Sequence, residues 1–110
     1  MNEHTPDAWV IVELTDLKAE KKYHRVLAGW YGGYFNGHSW RMSSGITRVV
    51  DHDPWYDIHN VNGSIYKCHK NSEGFSGYIL NIYHSYKEQN SDDKSVDHVS
   101  LDSIKDLYHN

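Results

Sequence analysis

Nine of the 110 residues are histidines, which can bind metal ions or transfer protons. The possible metal ligands that lie closest together are Asp51, His52, Asp53 and His59, with Cys68 and His69 further along the chain. Imidazole, carboxylate and thiolate groups bind zinc, so the first four residues could serve a metal-dependent hydrolase. However, the chain has no C-x-x-C or H-E-x-x-H spacing. We therefore expect surface or hydrogen-bonded histidines, and no metal or other cofactor.

A second possible chemistry is nucleophilic catalysis by Cys68, with His24 or His69 as the base. Such a site needs a nucleophile, a base and an orienting acid within hydrogen-bond reach. No G-x-S-x-G motif is present, and adjacent residues such as Cys68 and His69 point to opposite faces of a strand. The sequence favours a buried, inert cysteine and a protein that is not an enzyme.

Aromatic residues form the strongest pattern in the chain. The segment from Trp30 to Trp40 reads W-Y-G-G-Y-F-N-G-H-S-W, with five aromatic rings in eleven residues. Tryptophan, tyrosine and arginine are favoured at interfaces because they combine a large contact area with a polar group. The rings at or beside turns exceed what a small core needs, so we predict a binding surface there. Its residues are Tyr31, Tyr34, Phe35, Trp40, Arg41, Trp55 and Tyr56.

The net charge of −4 limits the partners that the chain can bind. Non-specific nucleic-acid binding depends on a basic face that releases counterions, so a mildly acidic chain argues against it. Rings interspersed with Arg25, Arg41 and Arg48 nevertheless suit a small β-barrel that stacks bases on its rings. A protein that binds single-stranded nucleic acid or a nucleotide, through Arg41 or Arg48, is therefore the alternative to a protein-binding module.

The sequence also predicts where the protein acts. A single cysteine, Cys68, excludes an internal disulfide and fits a reducing compartment. The first residues, M-N-E-H-T-P-D, lack the basic and apolar regions of a signal peptide. No apolar run approaches the roughly 20 residues needed to cross a bilayer. We expect a cytoplasmic protein without a membrane partner.

Hydrophobic patterning predicts a mainly β fold. Residues 8–14 are apolar on both faces, so we expect a strand that is covered on both sides. Further strands are predicted at 23–31, 40–50, 55–59, 64–69 and 78–87, with hairpin turns at Asn36-Gly37 and Asn62-Gly63. Gly45 interrupts the third strand and predicts a bulge or a sharp bend. The expected architecture is a single antiparallel sheet of five to six strands, curled or closed as a small barrel.

The chain is short enough for one domain spanning residues 1–110. Its core is expected within residues 8–87, followed by a polar linker at 88–98. A short helix is predicted at about 100–108, with Ser100 as its N-cap and with Val99 and Ile104 as a hydrophobic staple. A homodimer through an exposed strand edge is a further possibility.

Three segments between residues 22 and 69 carry a resemblance to a known group of proteins. They read K-Y-H-R-V-L-A-G-W-Y-G-G-Y (22–34), N-G-H-S-W-R-M-S-S-G-I (36–46) and G-S-I-Y-K-C-H (63–69). In these segments the chain resembles short proteins of tailed phages and prophages, which have no characterised activity to carry over. The resemblance implies a small accessory protein of a mobile element. Such proteins often bind and inhibit a host enzyme, including those of antiviral defence.

Together these observations predict a non-enzymatic protein that binds a host protein and modulates it, for example as an inhibitor of a defence enzyme or a nucleic-acid enzyme. The expected docking surface joins the aromatic hairpin at 31–41 to the neighbouring turn at 52–57. The location implied by the resemblance is the cytoplasm of the host cell.

Overall fold

The computed structural model describes residues 2–32, 37–89 and 93–108. These residues contain eight strands, β1 (Glu3–His4), β2 (Ala8–Asp16), β3 (Lys21–Trp30), β4 (Ser39–Met42), β5 (Ile46–Asp51), β6 (Trp55–Asn60), β7 (Ile65–His69) and β8 (Lys94–Val99). The described helices are α1 (Gly77–Glu88) and α2 (Leu101–Ile104), and 3-10 turns lie at Lys70–Ser72 and Lys105–Tyr108. The prediction of a mainly β chain is confirmed.

The strands form two four-stranded sheets. Sheet A has the order β1-β7-β6-β5, and sheet B has the order β4-β3-β2-β8. The prediction of one curled sheet or barrel is wrong because the chain changes sheet between β4 and β5. The crossing follows Ser43, whose hydroxyl, and not its carbonyl, accepts a hydrogen bond from the N–H of Val26 at 2.8 Å. The predicted break at Gly45 falls within this crossing, so the expected strand at 40–50 is two strands in different sheets.

The two predicted hairpins differ in how much of each is described. The Asn62-Gly63 turn joins β6 to β7 as expected, and Gly63 has a φ of 88°. In the Asn36-Gly37 turn, Gly37 has a φ of 63°, which glycine adopts without strain. Asn36 lies outside the described residues.

Sheet B is the middle of three layers, between sheet A on one face and α1 on the other. The core between the sheets includes Trp9, Ile11, Val26, Ile58 and Tyr66. The core between sheet B and α1 includes Val10, Val12, Leu27, Ile79 and Tyr83. Residues 8–12 of β2 are buried without interruption. The prediction of a strand covered on both sides is therefore confirmed.

Residues 78–87 belong to the helix α1, so the strand predicted there is wrong. The two buried residues, Ile79 and Tyr83, lie four positions apart and therefore share one helical face. Ser76 begins the helix, because its hydroxyl accepts a hydrogen bond from the N–H of Ile79 at 3.2 Å. Gly29 of β3 gives the helix room to approach, since a Cβ there would lie 2.5 Å from Cγ2 of Ile79.

The predicted polar linker at 88–98 contains β8, which pairs antiparallel with β2 from Ile11↔Val99 to Asp16↔Lys94. Its one buried side chain is that of Val96. The segment therefore carries too little hydrophobic pattern to predict a strand, and β8 is held mainly by its backbone pairing with β2.

The C-terminal helix predicted at 100–108 is present as α2 followed by a 3-10 turn. Leu101 and Ile104 pack into the core between the sheets. Ser100 occupies the N-cap position, but its side chain makes no capping hydrogen bond. Instead, Oε2 of Glu73 accepts a hydrogen bond from the N–H of Leu101 at 2.9 Å. A residue distant in sequence thus supplies the cap.

Candidate functional site

The structure separates the residues that the sequence predicts as one binding surface. Tyr34 and Phe35 lie outside the described residues. Tyr31 and Trp40 are exposed, with 57% and 38% of their surface accessible. Tyr56, in contrast, is 5% accessible and belongs to the core between the sheets. Tyr56 is therefore unable to contact a partner in the folded protein.

Trp40 and Trp55 lie on opposite sides of the three layers. The ring of Trp40 contacts Tyr86 of α1, with centroids 5.9 Å apart, so it faces the helix layer. Trp55 precedes the buried Tyr56 on β6, so alternation places it on the outer face of sheet A. Arg41 follows Trp40 and points to the other face of β4. Trp40 and Trp55 therefore do not share one continuous surface, and each side is described separately.

The surface beside α1, called the helix-side surface below, joins rings from sheet B to rings from the helix. Tyr31 contacts His38 with centroids 6.0 Å apart, and His38 contacts Tyr78 at 5.4 Å. Trp40 contacts Tyr86 at 5.9 Å in an edge-to-face arrangement. Because Tyr78 and Tyr86 lie in α1, these contacts attach the helix to the β4 side of the sheet.

A groove of about 320 Å³ lies next to these rings, where α1 ends. Its lining includes apolar and aromatic side chains of Leu14, Tyr23, Tyr86 and Val96, and charged side chains of Asp16, Arg25 and Lys94. Tyr23 is 46% accessible. The groove therefore extends the helix-side surface with both apolar and charged side chains.

β4 forms one edge of sheet B, and part of its backbone points away from the sheet. The N–H of Ser43 donates to the carbonyl of Val26 at 2.8 Å, which fixes the hydrogen-bonding phase with β3. Bonded positions alternate along an antiparallel pair, so Arg41 bonds to β3 while the N–H and C=O groups of Trp40 and Met42 point outward. In the described part of the chain, no strand pairs with this side of β4.

β8 forms the other edge of sheet B, and side chains of α1 cover it. The hydroxyl of Tyr83 accepts a hydrogen bond from the N–H of His98 at 2.9 Å. Nζ of Lys87 donates to the carbonyl of Val96 at 3.1 Å and also bonds to Asp97 at 3.2 Å. Covering an edge in this way prevents another strand from pairing with it.

The outer face of sheet A, called the histidine face below, carries a cluster centred on Trp55. Nε2 of His52 lies 2.9 Å from Oδ2 of Asp57, and Nε1 of Trp55 donates to Oδ1 of the same carboxylate at 3.1 Å. The His52 ring stacks on Trp55 with centroids 5.5 Å apart and an interplanar angle of 26°. From β7, His69 approaches the indole at 6.1 Å, and Nζ of Lys67 lies 5.0 Å from its centroid.

The four residues considered as metal ligands do not converge. Asp51 and Asp53 are both bound to Lys70, at 2.9 and 3.5 Å, and the hydrogen bond from Lys70 lowers the pKa of Asp51. His52 is bound to Asp57, and His59 pairs across the sheet with Arg48. Within residues 2–32, 37–89 and 93–108, no group of three or more His, Cys, Asp or Glu side chains could hold a metal ion.

The groups considered for nucleophilic catalysis are also apart. Cys68 is fully buried between the sheets, and burial raises the pKa of its thiol well above the usual range. His69 is exposed on the other face of β7. His24 is buried elsewhere, with Nδ1 2.6 Å from the hydroxyl of Tyr108 and Nε2 3.1 Å from Oε1 of Glu13. These bonds hold the C-terminal 3-10 turn against sheet B, and burial raises the pKa of the Tyr108 phenol.

Sequence reasoning missed several residues of both surfaces. Tyr78 and Tyr86 lie in the segment predicted as a strand, although Ser76 followed by Ile79 and Tyr83 is a capped helical pattern. On the histidine face, the missed residues are Asp57, Lys67 and His69. Alternation within the correctly predicted hairpin of β6 and β7 already placed them beside Trp55, so that signal was available.

No protein-family model matches this sequence, and no similar protein was found among curated proteins or solved structures. None of the described helices is long and apolar enough to cross a membrane. The function is therefore inferred from the geometry of the two surfaces.

Proposed function

We propose that this protein is a non-enzymatic binding module that docks on another protein by strand addition at β4. In this mode an extended segment of the partner pairs with an unpaired sheet edge. Main-chain hydrogen bonds then contribute affinity, and contacts to alternate side chains contribute specificity. The open edge of β4 beside the exposed rings of Tyr31 and Trp40 is the observation that supports this function.

The rings of Trp40 and Tyr86 lie where they would contact side chains of a strand paired with β4. A strand added beside β4 continues the pleat of sheet B, so every second side chain of that strand lies on the helix side. Those side chains would meet Trp40 and Tyr86, which already form one ring pair. Tryptophan and tyrosine are the residue types most often found to dominate binding energies at interfaces.

The contrast between the two edges of sheet B supports β4 as the docking edge. The β8 edge is covered by Tyr83 and Lys87, whereas Trp40 and Met42 present outward backbone groups. β4 has only four residues, so pairing there is short. Contacts to the helix-side rings must therefore supply much of the affinity.

The resemblance of residues 22–69 to phage proteins supports a host protein as the partner, met in the cytoplasm of the host cell. Pairing with an extended segment of an enzyme would hinder that enzyme wherever the segment must move or bind its own substrate. An inhibitor of a host defence enzyme or nucleic-acid enzyme is the expected outcome of such docking.

Affinity capture from a lysate of the natural host tests this function. The full chain should retain one specific protein, and Trp40→Ala should reduce its affinity about 30-fold, because interface tryptophans often contribute about 2 kcal/mol or more. Trp55→Ala is the matched control on the opposite side and should retain the partner. Circular dichroism confirms that each variant is folded. Equal retention by the Trp40→Ala variant would contradict the proposal.

A proline in β4 tests strand addition itself. Met42→Pro removes one outward N–H and leaves the bonds between Arg41 and β3 in place, since proline is tolerated on edges where the N–H faces solvent. Met42→Ala removes the same side chain but keeps the N–H. We expect Met42→Pro to bind the captured partner at least about fivefold more weakly than Met42→Ala, from one main-chain hydrogen bond of about 1 kcal/mol. Equal affinities would exclude pairing at this edge.

A further inference from the structure

We propose that the histidine face binds single-stranded nucleic acid, independently of protein docking at β4. Proteins that bind single strands present aromatic rings for base stacking and cations for the phosphates. Both occur on this face, on the side of the molecule opposite the helix-side surface.

Three rings on the histidine face form a row, and bases of a bound strand could stack on its two ends. His52 stacks on Trp55, and His69 lies beside the same indole. His52 is 42% accessible, and His69 is exposed, so both ends of the row are open to solvent. Unpaired bases stack on tryptophan and histidine rings, whereas bases within a duplex are already stacked on each other. The row therefore selects single strands.

Two cations of this face, Lys67 at the rings and Arg48 farther along the sheet, have no carboxylate partner in the described ranges. Nζ of Lys67 lies over Trp55 at 5.0 Å, and Arg48 lies on β5 opposite His59. Lys67 and Arg48 belong to different strands on either side of β6. A single strand lying across β6 would place phosphates near both of them.

The carboxylates closest to this row already have bonding partners. Both oxygens of Asp57 are bound, by His52 and Trp55. Asp51 and Asp53 are bound to Lys70. These three carboxylates are balanced by Lys70, Lys67 and Arg48, so this face is close to neutral although the whole chain carries a charge of −4. Lys67 and Arg48 therefore supply the contacts to phosphates, and base stacking on the rings must supply most of the affinity.

Fluorescence anisotropy of the full chain with labelled dT15, U15 and a 15-base-pair duplex tests this site. We expect both single strands to bind at 50 mM salt and the duplex to bind at least about tenfold more weakly, because its bases are already stacked and so gain little from the rings. With two phosphate contacts, a slope of roughly −0.7 per contact predicts about a sevenfold loss of affinity between 50 and 200 mM salt. No binding at 50 mM salt, or equal binding of the duplex, would overturn the proposal.

Variants on the two sides locate the binding. Trp55→Ala should weaken dT15 binding at least about fivefold, because it removes the ring that holds His52 and His69 in one row and base stacking contributes about 1–3 kcal/mol per base. Lys67→Ala should make the dependence of log affinity on log salt concentration shallower by roughly 0.7, the slope of one phosphate contact. Trp40→Ala and Arg25→Ala, on the helix side, should bind dT15 within about twofold of the natural chain. If Trp55→Ala fails to fold, the exposed His69→Ala takes its place. Equal losses from variants on both sides would refute a site on sheet A.

Discussion

The helix-side surface and the histidine face are both exposed, but they are built from different residue types for a structural reason. Sheet B is covered on both faces, so its solvent-exposed groups lie at an edge, β4, and in rings such as Trp40 that overhang α1. Among the residues that the structure describes, the packed elements cover sheet A on one face only. Its outer face therefore carries polar side chains such as His52, Asp57 and Lys67 in alternation with buried ones. An edge suits backbone pairing with a protein, whereas a polar face with rings suits a charged ligand.

The largest effects are expected from substitutions that remove buried side-chain volume from one of the two cores. Ile79→Ala in the core under α1 and Ile58→Ala in the core between the sheets should each lower the free energy of unfolding by about 2–5 kcal/mol, since both residues are fully buried. Urea denaturation measures the loss. In the folded protein, Ile79→Ala should weaken the capture of the protein partner and leave dT15 binding intact. Loss of both activities would mean that the two sides are not independent.

The approach of α1 to sheet B depends on Gly29. Gly29→Ala should destabilise by about 1–3 kcal/mol, because its Cβ would lie 2.5 Å from the buried Ile79. Gly45→Ala is the matched control, since the nearest atom to its Cβ would be Cγ2 of Val61 at an ordinary 3.6 Å. Thermal unfolding of both variants checks the difference. Similar melting temperatures would show that the helix does not sit closely on β3.

Removing the hydroxyl group of Tyr83 should expose part of the β8 edge to solvent. Tyr83→Phe removes the hydroxyl that accepts from the N–H of His98, at an expected cost of about 0.5–1.5 kcal/mol. Hydrogen exchange at His98 should accelerate, while exchange at Val99, whose backbone pairs with β2, should change little. An unchanged rate at His98 would show that the tyrosine does not protect this edge.

The two faces of sheet A should differ in chemical reactivity even between adjacent residues. The thiol of Cys68 is buried and its pKa is raised, so at pH 8 it stays protonated in the folded state and should not react with a thiol reagent. His69 is exposed and should be modified by a histidine reagent under the same conditions. Mass spectrometry identifies both products. Rapid labelling of Cys68 without denaturant would show that the core between the sheets is open.

The sequence predicted strands correctly where the burial of side chains follows the two-residue period of a strand or the segment is apolar throughout. Residues 8–12 are apolar on both faces, which correctly indicated a strand in a middle layer. The hairpin at Asn62-Gly63 was predicted because its turn chemistry is local. By contrast, α1 was predicted as a strand because aromatic residues in its sequence also fit an alternating pattern, and β8 was missed because only Val96 is buried.

The candidate site could be predicted only in part, because its geometry depends on how the layers stack. Sequence patterning identified Tyr31, Trp40 and Trp55 as residues with exposed or partly exposed rings. It could not show that the chain changes sheet after β4, which places Trp40 and Trp55 on opposite sides. The outward backbone groups of β4 follow from the pairing phase set by Ser43 and Val26, and side-chain patterns do not report that phase.

Amide hydrogen exchange in β4, measured by NMR on the free protein, tests most directly whether its edge is available to a partner. Trp40 and Met42 should exchange rapidly, whereas Arg41 between them should be protected by its bond to β3. If Trp40 and Met42 are as protected as Arg41, the edge is already occupied and docking by strand addition at β4 is contradicted.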